Sequence, residues 1–147
     1  MSIESIELWQ RRARPHPTAQ DFNVALGVHL EEIAEMFEVL TVQYGTVDAS
    51  FPVWVMLKEL ADGLKSGEMG ASINPGAREA FLDSLADQVV TAIGVGHCAG
   101  MQTAEACARV NTSNWSKFDE NGQPTFDANG KIAKPATYVA PDLKGLF

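Results

Sequence analysis

From Ala77 to Ala99 the chain reads AREAFLDSLADQVVTAIGVGHCA, a helix-length run with apolar residues on nearly every side. A helix of that kind is stable in water only if other elements cover it, so it predicts a bundle with this helix buried at its centre. Its longest apolar stretch, Val89–Ala99, is too short and too interrupted by glycines and His97 to span a bilayer. The neighbouring segments carry helical signals of their own. A short helix is expected over Ile3–Arg12, ending in the turn-prone RPHPT. Thr18, three residues before Asp21, is the expected N-cap of a long helix over Ala19–Tyr44 that stops near Gly45. Pro52 opens a third helix over Val53–Leu64, followed by the polar connector KSGEMGASINPG. A fifth helix, Met101–Val110, follows the break at Gly100. The fold class expected is therefore all-α, a four- to five-helix bundle in one domain spanning 1–147. Its helical core covers about 1–110. The tail, 111–147, is rich in Gly, Pro, Asn and Asp and is expected to be irregular, with one short hairpin at Asn129–Gly130 built on a type I′ turn. No internal repeat is expected.

Composition narrows the partners. A formal charge of −8 over 147 residues argues against a surface that grips nucleic acid or anionic lipid. It does not argue against small anionic substrates, because a bound divalent cation inverts the local sign. Cys98 and Cys107 have no metal-type spacing, and the N-terminus lacks the apolar core of a signal peptide. The expectation is a soluble protein of the reducing cytoplasm.

Carboxylates then fall where a core is expected. The second helix contains HLEEIAEMFEVL. At roughly 100° per residue, Glu32 shares a face with Val28, Ala25, Met36 and Val39, inside the apolar stripe. Glu35 lies at its edge, and Glu31 and Glu38 on the more polar side. In the fourth helix Asp83 and Asp87 stand one turn apart, with Glu79 a turn earlier. An ionised carboxylate taken out of water needs a cation or strong donors. Hard divalent cations prefer oxygen ligands, so a metal is the simplest counter-charge. The competing reading is a solvated acidic face, with the DxxxD pair placed near a helix start to suit the helix dipole.

Glu31-Glu32-x-x-Glu35 on one helix, Leu85-Ala86-Asp87 on a later one, and a tail reading SNWSKF, an Asn-Gly turn, then GKIAKPATYVAPDL together resemble the MazG-like, all-α NTP pyrophosphatase superfamily. The tail is most similar to the phosphoribosyl-ATP pyrophosphohydrolase-like members of phages and bacteria. The resemblance covers about residues 20–44 and 77–143. It implies Mg²⁺, or Mn²⁺, held by an ExxE and an ExxD pair, and cleavage of a nucleoside triphosphate to monophosphate and pyrophosphate. By position, Glu32 and Glu35 are the first pair and Asp87 the last ligand, with Glu31 an additional ligand or the group that orients water. Ser84 stands where the first acid of ExxD is expected, and Asp83, about 40° from Asp87 on the wheel, is the candidate replacement.

Phosphoryl chemistry explains the residue types. A triphosphate must be neutralised, a water positioned and a leaving pyrophosphate stabilised, which carboxylate-held magnesium does. Glu31 or Glu38 is placed to accept the proton. In the tail, Lys117, Lys131 and Lys134 are candidate phosphate contacts, Asn114 a hydrogen-bonding partner for base or sugar, and Trp115 a surface for a base. Each has a plainer reading: solvated lysines, a turn asparagine, an anchoring tryptophan. His29 and His97 are read as packing residues. Gly94, Gly96 and Gly100 suggest close helix approach and a homo-oligomer, dimer or tetramer. The alternatives kept open are a phosphoribosyl-ATP substrate, a di-iron bundle (which lacks its Glu-x-x-His pairs here), and a non-catalytic helical oligomer that has lost a ligand at Ser84.

Overall fold

The computed structural model describes residues 3–38, 43–44, 47–48 and 50–147, with the side chains of 3–4, 7, 35–38, 43–44 and 47–48 left aside. Among these residues the protein is all-α, with five helices: α1 (Ile3–Ala13), α2 (Ala19–Glu38), α3 (Ser50–Ser66), α4 (Arg78–Cys98) and α5 (Thr103–Trp115). Among the described residues the β-ladder is a pair of two-residue strands, β1 (Gln43–Tyr44) and β2 (Val47–Asp48), antiparallel with Tyr44 opposite Val47. No helix among the described residues is long and apolar enough to cross a membrane.

The chain forms two compact units. One comprises Met1–Pro15, Ser72–Thr125 and Ala133–Phe147; the other comprises His16–Ala71 and Phe126–Ile132.

The second unit is an antiparallel pair, α2 against α3, because contacts descend α3 as they ascend α2. Gly67 lies by Gln20, Ala61 and Leu64 by Gly27, and Lys58 and Lys65 by Glu31. The α2 entry is the expected one. Thr18 N–H and Oγ1 donate to Asp21 Oδ2 (2.8 and 2.7 Å), and Asp21 N–H donates back to Thr18 Oγ1 (3.2 Å). Its end differs: the expected helix to Tyr44 gives way to β1 at Gln43–Tyr44, within the β-branched and aromatic run TVQY that suits extended pairing. Residues 39–42 lie outside those described.

The first unit is built on α1, α5 and the tail. Trp9 meets Phe118 edge-on (centroids 6.0 Å, 90°), and Trp115 packs on the same ring at 5.5 Å. The Trp9 indole N–H donates to the Asn114 carbonyl at 2.8 Å. Helix α5 runs on to Trp115, past the expected end at Val110. Asn111 and Ser113 are poor helix formers but are buried, and their side chains find partners: Asn111 Nδ2 donates to Ser5 Oγ at 2.6 Å and Ser113 Oγ to the Val139 carbonyl at 2.6 Å. Tertiary bonding overrides propensity there.

The largest departure is α4. Expected as the buried centre of a bundle, it is exposed along almost its whole length, and only Gly96 is buried. Gly96 lies against Thr103 of α5, which leaves no room for a side chain at that position. The apolar character is as expected, but among the described residues of its own unit most of that surface is left uncovered.

The tail holds a tandem repeat that the reading of the sequence missed: FDENGQPT (118–125) is followed directly by FDANGKIA (126–133). Both copies fold alike. In each, an Asp side chain accepts two backbone N–H groups, Asn121 and Gln123 on Asp119, Asn129 and Lys131 on Asp127. In each, a glycine follows with positive φ, Gly122 at 69° and Gly130 at 75°. The Gly130 N–H bonds the Asp127 carbonyl, and Phe126 bridges Ile132. The hairpin is where it was expected, but its turn is not type I′, since no described non-glycine residue has positive φ. The Asp carboxylate favours a four-residue turn closed by a left-handed glycine instead. Gly130→Ala is expected to cost about 1 kcal/mol, read as a lowered denaturation midpoint.

Candidate functional site

The carboxylates of α2 and α4 sort into two kinds. Glu31 is engaged: Lys65 Nζ lies 2.9 Å from Oε1, Lys131 Nζ 2.9 Å from Oε2, and Lys58 Nζ 3.7 Å from Oε1. Its side chain is only 14% exposed. Val24, Gly27 and Ala34 are buried on the same helix, so the buried stripe of α2 passes through Glu31. This corrects the wheel, which set Glu31 on the polar side and Glu32 inside the stripe; Glu32 is exposed. Burial works against the charge on Glu31, but hydrogen bonds from Lys131 and Lys65, with their charges, outweigh it and hold the carboxyl down at about 2. Burial likewise opposes the charge on Lys65, yet its bonds to Glu31 and Asp62 raise it above its usual value.

Lys58 and Lys65 were not singled out beforehand. Their seven-residue spacing places them on one face of α3 and was the available signal. The counter-charge assigned in advance to a metal is, at Glu31, supplied by ammonium groups.

Glu32, Asp83 and Asp87 are of the other kind. All three are exposed and have no ion pair among the described residues. Asp83 and Asp87 stand a turn apart on α4, beside an exposed Ser84 whose carbonyl accepts Gln88 Nε2 at 3.2 Å. The side chains of Glu35 and Glu38 lie outside those described. Oxygen donors of this kind suit a hard cation, but no three Asp, Glu, His or Cys side chains converge among the described residues. The fit to magnesium is thus a matter of donor chemistry and not of a closed ligand shell.

The tail lysines divide as well. Lys131 is committed to Glu31. Lys134 and Lys117 both lie over Tyr138, with Nζ 4.9 and 5.9 Å from the ring centroid, and Lys117 also lies 5.8 Å from the Trp9 ring. Trp115 is half-buried on Phe118, the anchoring role, and Asn114 uses its carbonyl to hold Trp9. His29 is half-buried and His97 exposed. Within the first unit a cleft of about 480 Å³ is lined by Arg109, Ser113, Ser116, Val139 and Asp142 among others. Arg109 is already bound there, to Glu105 at 2.9 Å and to the Asp142 carbonyl at 2.9 Å.

No family model matches the chain, and neither a curated protein nor a solved structure matches it.

Proposed function

We propose that the protein is a MazG-like, magnesium-dependent nucleoside triphosphate pyrophosphohydrolase, converting a (d)NTP and water to the monophosphate and pyrophosphate. The observation that carries the reading is the division among the acids: Glu31 is saturated by lysines, whereas Glu32, Asp83 and Asp87 carry carboxylates with no ion pair among the described residues. These are the positions at which the resemblance puts metal ligands, together with Glu35. When bound, Mg²⁺ (or Mn²⁺) would neutralise the triphosphate and acidify a water. The protein's own share is to hold that charge in place. Lys117 and Lys134 would meet phosphate oxygens as point charges, and Asn114 and Trp115 would meet the base or sugar. Glu31 would act less as a ligand than as the anchor of Lys131, fixing the tail hairpin against α2.

One observation favours a second reading, a non-catalytic helical oligomer: no third acid converges on Asp83 and Asp87 among the described residues, and Ser84 holds the place of one. The two separate on pyrophosphate release from a panel of ribo- and deoxyribonucleoside triphosphates and phosphoribosyl-ATP, with Mg²⁺. Wild type is expected to release pyrophosphate, and Glu35→Gln and Asp87→Asn each to lose at least about 100-fold, the scale of losing a group that places transition-state charge. No release above blank from any of the panel would sink the enzymatic reading and leave the second.

A further inference from the structure

We propose that Asn121 and Asn129 are latent modification sites, amides open to conversion into isoaspartate, and that Asp119 and Asp127 are the positioning residues that keep them closed. The inference goes beyond the pyrophosphohydrolase reading and does not depend on it. Each asparagine precedes a glycine in its copy of the tandem turn. In an Asn-Gly pair no Cβ shields the following peptide nitrogen from the side-chain amide. Both asparagines are exposed, and neither side-chain amide has a hydrogen bond among the described residues. The reaction needs only water. The Gly130 nitrogen loses its proton to solvent and attacks Asn129 Cγ; the N–Cγ bond forms, the Cγ–Nδ2 bond breaks, and ammonia leaves. Water then opens the cyclic imide at Cγ, giving aspartate, or at the main-chain carbonyl, giving isoaspartate. No electrons are gained or lost, and Asn121 with Gly122 reacts in the same way.

The turn holds the attacking nitrogen elsewhere. Gly130 N–H donates to the Asp127 carbonyl at 3.0 Å, and Gly122 N–H to the Asp119 carbonyl at 2.9 Å. A carbonyl oxygen accepts that hydrogen bond but is too weak a base to remove the proton. Asp127 Oδ1 accepts the N–H groups of Asn129 and Lys131, both at 2.9 Å. Asp119 Oδ1 accepts those of Asn121 and Gln123, at 2.9 and 2.8 Å. The peptide groups before and after each asparagine are thus pinned by one aspartate, and attack requires the main chain to rotate until the glycine nitrogen faces Cγ. The modification therefore proceeds from the opened turn, at a rate that follows how often the turn opens. Its consequence differs between the copies, because isoaspartate routes the main chain through the extra Cβ. At 129 it displaces Lys131, whose Nζ donates to Glu31 Oε2 at 2.9 Å. At 121 it displaces Gly122, whose carbonyl accepts Arg12 Nε at 3.3 Å.

The test is peptide mapping by mass spectrometry of the full chain held in mildly alkaline buffer. The amide-to-acid mass gain is followed at each asparagine over time, with isoaspartate resolved from aspartate by chromatography. Both sites are expected to react at least about 10-fold more slowly in folded wild type than in the same chain in guanidinium chloride. Asp127→Ala removes the carboxylate acceptor of both N–H groups, so Asn129 is expected to react about 10-fold or more faster while Asn121 keeps its wild-type rate. Asp119→Ala is expected to give the mirror result. Asp127→Asn, which keeps an acceptor oxygen on the side chain, is expected to stay near the wild-type rate. Equal rates in folded and unfolded wild type, an unchanged Asn129 rate in Asp127→Ala, or acceleration of both sites alike in either alanine variant would each overturn the assignment.

Discussion

A chain with leucine in place of Gly27 is expected to lose the α2–α3 pair, at a cost of about 3 kcal/mol or more in stability. Gly27 is buried where the two helices touch. A Cβ there would sit 2.8 Å from the Ala61 carbonyl oxygen, 2.9 Å from Lys65 Cγ and 3.2 Å from Leu64 Cβ. The first obstacle is backbone, so relief requires α3 to move away, which opens the contact along its length. Even alanine at this position is expected to destabilise, although it is the better helix former. Gly94, with nothing within 4 Å of its would-be Cβ, is the control: Gly94→Ala is expected to stabilise by up to about 1 kcal/mol. Urea unfolding followed by circular dichroism reads both signs. Equal midpoints for Gly27→Leu and wild type would show that the helices do not meet at this glycine.

The second large effect is at Glu31. Glu31→Gln leaves Lys58, Lys65 and Lys131 around a neutral amide, with Asp62 still paired to Lys65 at 3.0 Å. Breaking a fully buried pair costs several kcal/mol. Lys131 is 44% exposed and partly screened, so about 2 kcal/mol is expected here. The pH dependence follows from the direction of the shift. The Glu31 carboxyl titrates at about 2 in the folded protein against 4.5 ordinarily, so the unfolded chain takes up its proton first as pH falls. The stabilisation is therefore complete above 4.5 and is lost as pH drops from there towards 2. Lys65, shifted up, contributes below 10.5 and ceases to do so as pH rises through its folded value. The stability difference between wild type and Glu31→Gln should shrink steadily across the acid window; a constant difference would mean that the lysines do not hold the carboxylate.

Local signals in the sequence were reliable, and non-local ones were not. The Thr18–Asp21 box, the five helices and the position of the second tail hairpin are set by residues three or four apart and were legible. The phase of α2 was not. A carboxylate on the buried stripe contradicts hydrophobic patterning until Lys58, Lys65 and Lys131 arrive from elsewhere in the chain. The reach of α5 to Trp115 depended on bonds from Asn111 to Ser5 and from Ser113 to Val139. The turn type depended on a side-chain acceptor at Asp127 competing with the Asn-Gly preference. Of the candidate site, the residue types were legible, but which acid stays open and which is neutralised was not, because that is decided by lysines distant in sequence.

The duplicated turn also has a consequence for the order of synthesis. Its first copy belongs to the unit of α1, α4 and α5, and its second to the unit of α2 and α3. Lys131 lies 100 residues downstream of Glu31. At roughly 5–20 residues per second on the ribosome, the α2–α3 pair, whose last residue is Ser66, waits about 3–13 s for its last ammonium group. During that wait Glu31 has Lys58 and Lys65 alone, and the unit that begins first along the chain after Pro15 is completed only when Ile132 has emerged.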